Sequence, residues 1–328
     1  MNFQPAVWRP PPAPPLEGEY VVNDKLARAE RLDTGGIGPE DVVVDENGTV
    51  YAGLEDGRIV RFSSSGGPAD SIANTGGRPL GIELDSNGGL VICDAVKGLL
   101  RLSEQGTLHT LVDTFEGERL LFTNNATVAG DGTIYFTDSS QRYSIDRYKL
   151  EILEHSGSGR LFAHRPDGQT ELLLDGLQFA NGVALDPAEE FLLVVETSTY
   201  SIRKLWLSGA RAGQHETFVD NLPGFPDNLS HYDGIFWVAI PSLRDRMLDK
   251  MLPRPWLRKI LARLPESLHP RLQRHGFALG LDTSGRAVHN LQDASGEVAV
   301  VTGVRQHGGK LYLGSLTDSA IAVYDLTV

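Results

Sequence analysis

NNATVAGDGTIYFTD (residues 124–138) reads as an apolar strand, a polar turn rich in Asp and Gly, and a second strand. The same reading fits PEDVVVDENGTVYAG (39–53), NGVALDPAEEFLLVVE (181–196) and PDNLSHYDGIFWVAI (226–240). Short Asn, Asp and Gly turns between alternating apolar runs are what tight hairpins require. Two further copies, PLGIELDSNGGLVICD (79–94) and VTGVRQHGGKLYLGS (301–315), complete a set of six. A period of about fifty residues is that of a propeller blade, a four-stranded sheet that cannot bury its faces without neighbours. The expected fold is therefore all-β, a six-bladed β-propeller. Later strands of a blade are also legible, as at 57–62 followed by 70–74 and at 159–163 followed by 170–174. The last copy ends at 321–326 without a fourth strand, so the segment near 26–32 is expected to supply it and remove two exposed sheet edges. One domain over 26–328 follows, preceded by a Pro-rich arm at 1–25 read as a stiff strap along the propeller surface.

Four oxygen-bearing side chains, Glu40, Asn124, Asn181 and Asp227, recur at the start of the first strand of four copies; the other two carry Leu80 and Thr302 there. From Glu40, Leu80 and Asn124 the second-strand residues Tyr51, Val91 and Tyr135 each lie eleven positions on, and from Asp227 to Trp237 the count is ten. Equivalent register in equivalent blades means equivalent depth. First strands line the central channel, so their starts converge at its mouth. Alone, each residue reads as a turn cap. Together, two carboxylates and two amides without a His or Cys pattern suit a hard cation with oxygen ligands, calcium rather than zinc. Asn125 and Asn228, next in sequence, are candidates for supporting or contacting substrate, with plain turn roles as the alternative.

A net charge of −13 over 328 residues argues against a nucleic-acid partner, which needs a basic face. Cys93 is the single cysteine, which excludes an intrachain disulfide, and it is read as a small buried apolar residue. The N-terminal stretch lacks the apolar run of a signal peptide or a membrane span, so a cytoplasmic location is the default expectation.

The stretch FANGVALDPAEEFLLVVETSTYSIRKLWLSGARAGQHETFVDNLPGFPDN (179–228), with IYFTDSSQRY (134–143), KLYLGSL (310–316) and PPAPPLEGEYVVNDKLARAERL (11–32), resembles the strictosidine-synthase-like family. That family sits within a superfamily of calcium-dependent six-bladed propellers containing gluconolactonase, senescence marker protein 30 and paraoxonase. The resemblance implies a calcium at the channel mouth held by one Glu, two Asn and one Asp, which fall on Glu40, Asn124, Asn181 and Asp227. It also implies hydrolysis of lactones, aryl esters or organophosphates. The synthase that names the family uses a Glu near the start of the last blade's inner strand; VVTGV stands there, with Thr302 at the position, which disfavours alkaloid condensation. The expected function is a calcium-dependent hydrolase of a small lactone or ester, the metal acting as Lewis acid. Asp227 is the candidate catalytic carboxylate, attacking or activating water; the competing assignment makes it a ligand only. The alternative of another class is a non-catalytic propeller with a structural calcium.

Two insertions enlarge the metal-side face. The first, 139–159, carries Tyr143 and is flanked by His155; the second, 243–275, ends at His275, and these three with Glu196 are further candidates for touching substrate. For Glu196 and Asp138, pairing with Arg or Lys is the preferred role. His307 is expected in a turn at the opposite end of its strand. The second insertion has Leu257, Ile260, Leu261 and Leu264 at helical spacing, broken by Pro253, Pro255, Pro265 and Pro270, and holds nine Lys or Arg against three acids. A lid over the pocket is the preferred reading because the insertion leaves from the metal face; a peripheral membrane or partner contact and a dimer contact are the others.

Overall fold

The computed structural model describes residues 3–63, 67–86, 88–265 and 273–327. Six four-stranded antiparallel sheets are arranged as blades, in chain order over residues 42–74, 79–112, 123–177, 180–219, 229–293 and 301–325. The sixth sheet takes its outermost strand from Glu30–Asp33, which pairs with Ala320–Asp325 in the register Glu30↔Val323 to Asp33↔Ala320. The expected closure is present but shorter than 26–32. Leu26–Arg28 is a 3₁₀ turn, and Leu26 is fully buried against Trp237, Val304 and Leu313 as an apolar plug between the fifth and sixth blades.

Between each pair of adjacent blades lies one apolar cluster. Val91, Cys93, Phe136 and Phe162 join the second blade to the third; Leu193, Val195, Phe236 and Phe277 join the fourth to the fifth. The inner strands are apolar on both sides because both faces of every sheet are covered, as in Phe191–Glu196, buried throughout. Cys93 is fully buried within one such layer, and burial pushes its thiol pKa up, so the thiolate is disfavoured.

Three short helices interrupt the β pattern. Helix α1 (Tyr148–Glu154) lies between the second and third strands of the third blade, and α2 (Arg246–Met251) and α3 (Pro255–Leu261) lie at the same place in the fifth. Asp245 caps α2 by accepting from the amides of Met247 and Leu248 at 2.7 Å, and α3 begins on Pro255, whose missing N–H is no loss at a first helical turn. Pro270 lies outside the described residues. The arm ties the two insertions together. Ala6 N–H donates to the Glu154 carbonyl, Arg258 to the Ala6 and Leu153 carbonyls, and Arg244 to the Pro11 carbonyl. Trp8 stacks on His155 with ring centroids 4.5 Å apart. Among the described residues no helix is long and apolar enough to cross a membrane.

Candidate metal centre and pocket

Strand pairing puts the six repeat positions at one depth. The residue three places after each of them pairs across its hairpin: Val43↔Tyr51, Glu83↔Val91, Thr127↔Tyr135, Ala184↔Leu193, Ser230↔Trp237 and Arg305↔Tyr312. In the second, third, fourth and sixth blades the ladder shifts register at the start of the inner strand. Such bulges re-aim side chains, so adjacent residues serve different layers. Glu40, Leu80, Asn124, Asn181, Asp227 and Thr302 all reach the floor of one pocket.

A second layer sits just beneath, formed by Asp41, Gly81, Asn125, Gly182, Asn228 and Gly303. Glycines alternate with polar residues because neighbouring inner strands touch. A Cβ on Gly81 would lie 2.6 Å from Asn125 Cα, one on Gly182 2.3 Å from Leu229 N, and one on Gly303 2.6 Å from Asp41 Oδ1. The polar members cross the gap: Asp41 Oδ2 accepts from Asn125 Nδ2 at 3.2 Å, and Asn125 Oδ1 accepts from Val183 N–H at 3.0 Å. Asn228 Nδ2 donates to both Glu40 carboxylate oxygens at 3.1 Å. Asn125 and Asn228 therefore support the floor from below, outside the pocket lining.

The two amide side chains on the floor are held in one orientation. Ser139 donates its hydroxyl proton to the Ala180 carbonyl at 2.7 Å, and Thr197 donates to the Pro226 carbonyl at 2.8 Å. With its proton committed, each hydroxyl can only accept from the amide beside it. It therefore faces the NH₂ group, and Asn124 Nδ2 donates to Ser139 Oγ at 2.9 Å and Asn181 Nδ2 to Thr197 Oγ1 at 3.1 Å. The amide oxygens point the other way. Asn124 Oδ1 and Asn181 Oδ1 are buried and have no hydrogen-bond partner. A buried acceptor left unpaired costs about 1 to 3 kcal/mol, so two on one pocket floor need a donor or a cation. Ser139 and Thr197 were not singled out from the sequence, although a signal exists: each follows the acid that ends the second strand, and where the repeat carries Leu80 instead of an amide, the corresponding residue is Ala95.

Electrostatics point the same way. Glu40 is buried, and burial together with the nearby Asp227 and Asp41 carboxylates raises its pKa well above the usual range, against weaker opposition from Arg78 and Asn228. Burial pushes Asp227 up to about 7, opposed by the Asn181 amide. Two carboxylates that resist ionisation side by side, with two unpartnered amide oxygens, form a donor set suited to a divalent cation with an oxygen shell. Among the described residues no three His, Cys, Asp or Glu side chains assemble as a metal group; the quartet depends on its amides. Thr302 contributes no carboxylate and donates its hydroxyl to the Glu40 carbonyl at 2.7 Å.

The pocket above this floor has a volume of about 790 Å³. Its wall is apolar: Leu80 and Phe122 pack with Phe179 and with Ile145, Tyr148 and Ile152 of the first insertion. Leu248 of α2 and Leu261 of α3 complete it from the second insertion. Arg78 is the buried cation at the rim, its Nη1 donating to the Gly38 carbonyl at 2.9 Å and its Nη2 unpartnered. A smaller cavity of about 270 Å³ opens at the other end of the channel, beside the Arg305–Glu83 pair.

Several sequence candidates lie elsewhere. Tyr143 donates its hydroxyl to Glu154 at 2.6 Å and is buried behind the pocket wall. His155 ends α1 in the left-handed conformation (φ 58°), stacked on Trp8; burial and the Arg258 charge lower its pKa to about 4, keeping it neutral. His275 shares a 2.9 Å hydrogen bond with Gln292. Glu196 pairs with Arg203 at 2.7 Å and accepts from Gln178 N–H, as Asp138 pairs with Arg160. None of these lines the pocket. Glu196 and Asp138 end second strands on the pocket side, where Arg203 and Arg160 occupy them. His307 ends its strand at the hairpin facing Lys310, at the far mouth.

Comparison with known proteins places this geometry. Residues 18–62 match the model of the strictosidine synthase-like N-terminal region and residues 124–210 that of strictosidine synthase. Adipocyte plasma membrane-associated protein of Bos taurus is 38% identical over 333 residues, covering 92% of this chain and 80% of its own. Strictosidine synthase-like 10 of Arabidopsis thaliana is 36% identical, covering 89% and 86%. Among solved structures, a gluconolactonase from Xanthomonas campestris superposes with a TM-score of 0.67 at 17% identity over 91% of this chain and 90% of its own. Regucalcin from Agrobacterium tumefaciens, described as a calcium-binding protein, gives 0.62 at 13% identity over 90% and 92%. Those structural likenesses carry the fold, and the sequence matches carry the kinship: the chain belongs to the strictosidine synthase-like family.

Proposed function

We propose that this propeller is a calcium-dependent hydrolase of lactones or esters whose acyl or ring portion is apolar. The observation that carries the reading is the pair of unpartnered amide oxygens, fixed by Ser139 and Thr197, in residues that line one apolar pocket together with two carboxylates. Glu40, Asn124, Asn181 and Asp227 would hold the ion. Calcium bound there supplies a Lewis acid for the carbonyl oxygen of a substrate.

The chain's own residues divide the remaining work. Glu40 is engaged at both oxygens by Asn228, which suits a fixed ligand. Asp227 is the more exposed of the two carboxylates and the better placed to take a proton from water or to attack a carbonyl carbon. Phe122, Phe179 and the inner sides of α1, α2 and α3 exclude water and hold the apolar part of the substrate. At about 790 Å³ the pocket admits a molecule larger than a simple sugar lactone. Thr302, donating to a backbone carbonyl, offers no acid for a condensation.

The test is a panel of alkyl lactones and aryl esters assayed with calcium and with chelator, using the unmodified protein and Asp227→Asn. Calcium-dependent turnover that falls by orders of magnitude in D227N is expected. Tight calcium binding by calorimetry without turnover of any panel member would instead favour a non-catalytic propeller with a structural ion.

A further inference from the structure

The outward face of the second insertion is built for a different contact from the inward one. Leu248, Leu252, Arg258 and Leu261 face the pocket or are buried beneath the helices. On the outside Met247, Trp256 and Ile260 are 66%, 61% and 52% exposed, large values for residues of this size. Around them Arg246, Lys250, Arg254, Lys259 and Arg263 are also exposed. At 100° per residue, Trp256, Lys259 and Ile260 fall on one side of α3, and Arg263 stands in the turn that follows it.

The two acids of α2 do not dilute this charge. Asp245 is turned into the helix cap, and Asp249 pairs with Arg244 at 2.8 Å while accepting from the Tyr200 hydroxyl at 2.9 Å. The result is a face with five exposed cations and three exposed apolar side chains on a chain of net charge −13. The exposure does not come from loose packing. The helices are fixed from behind by Arg258, which donates to the Leu153 and Ala6 carbonyls, and by Trp8 N–H, which donates to the Leu252 carbonyl.

We infer that this face docks on an anionic lipid bilayer, with Trp256, Ile260 and Met247 entering the headgroup region. A basic rim around an aromatic and aliphatic centre satisfies both terms of interfacial adsorption at once. A second copy of this chain is a poorer occupant, because a two-fold contact would set five cations against five. The inference stands apart from the proposed chemistry, since none of the four floor residues lies on α2 or α3.

The experiment is co-sedimentation of the full chain with vesicles of phosphatidylcholine alone and with vesicles in which a third of the lipid is phosphatidylserine. Binding to the anionic vesicles only, lost at half-molar salt, is expected. At about fivefold per basic residue near the surface, Lys250→Ala with Lys259→Ala should weaken the partition roughly 25-fold. Trp256→Ala should weaken it further, and Lys310→Ala at the far mouth should not change it. Near-ultraviolet circular dichroism checks that each variant is folded. No binding to anionic vesicles at low salt would overturn the inference, as would binding that is indifferent to the double substitution. A dimer that the same substitutions dissolve would assign the face to self-association instead.

Discussion

Thr197→Val removes one oxygen atom and almost no volume, and it separates the orientation of the floor amides from their presence. In the native chain the Thr197 hydroxyl donates to the Pro226 carbonyl at 2.8 Å and accepts from Asn181 Nδ2 at 3.1 Å. The valine leaves both groups buried and unpaired. At about 1 to 3 kcal/mol for each buried group so stranded, the metal-free fold should lose about 2 to 6 kcal/mol. The amide of Asn181 would also be free to rotate, presenting NH₂ to the pocket in part of the population. Loss of a group that orients a ligand typically lowers metal affinity by about ten- to a hundredfold. Calorimetric titration with calcium measures the affinity directly, and denaturant unfolding in chelator measures the stability. Thr197→Ser keeps the hydroxyl and should keep affinity within a few-fold of the native value. Equal calcium affinity in native and valine forms would refute the argument that hydroxyls fix the amides. An equal loss in the serine form would refute it too, by assigning the effect to the lost methyl group.

Three further outcomes are expected. Asp227 has its pKa raised from 3.8 to about 7 in the metal-free pocket. The folded state therefore holds a proton that the unfolded chain releases above about pH 4, and metal-free stability should fall as pH rises from about 4 to 7, a slope that Asp227→Asn flattens and added calcium offsets most strongly at the upper end. Phe136→Ala opens a cavity between the second and third blades, where Phe136 is fully buried and stacked on Phe162 at 5.0 Å, and should cost about 3 to 5 kcal/mol in chemical unfolding. Replacing α2 and α3 by a short Gly-Ser link should leave calcium affinity unchanged, because all four floor residues lie outside them, while shifting selectivity across the ester panel through the loss of Leu248 and Leu261; an unchanged selectivity pattern would refute the lid role.

The sequence exposed the propeller because each blade is specified locally. A hairpin turn such as DENG or GDGT is a short-range signal, and six copies at one spacing leave little freedom for the fold. That Glu40, Asn124, Asn181 and Asp227 converge on one pocket floor is legible for the same reason, as equal positions in equal repeats. Roles set by contacts between blades were not. Pairing of Glu196 and Asp138 with Arg is legible by contrast, because Arg203 and Arg160 lie on the next strand of the same blade. His155 was placed by its insertion, but its neighbours are Trp8 of the N-terminal arm and Arg258 of the fifth blade, which no local pattern connects. The segment at 26–32 divided into a buried 3₁₀ plug and a short strand because Leu26 had an apolar gap between blades to fill.

The two layers of the channel mouth show how a fold made of repeats acquires an asymmetric site. In the lower layer Asp41, Asn125 and Asn228 alternate with Gly81, Gly182 and Gly303, so that each polar side chain has an unobstructed neighbour strand to cross to. That alternation ties the blades together through Asp41 and Asn125, while Asn228 turns its Nδ2 to Glu40 and leaves its own Oδ1 without a partner. In the upper layer the symmetry is broken at two places. Thr302 closes its hydroxyl onto the Glu40 carbonyl, fixing the backbone that carries a buried carboxylate of the floor. Leu80 faces Phe122 and Phe179, with Ala95 rather than a hydroxyl residue beside it, so the second blade offers an apolar approach where the third and fourth offer oriented oxygens. An apolar substrate lying along Leu80 and Phe122 would therefore bring its carbonyl to the quartet from the one sector of the floor that has no donor oxygen. In the proposed hydrolase, specificity and charge stabilisation would then come from different blades of the same ring, and either could change without the other.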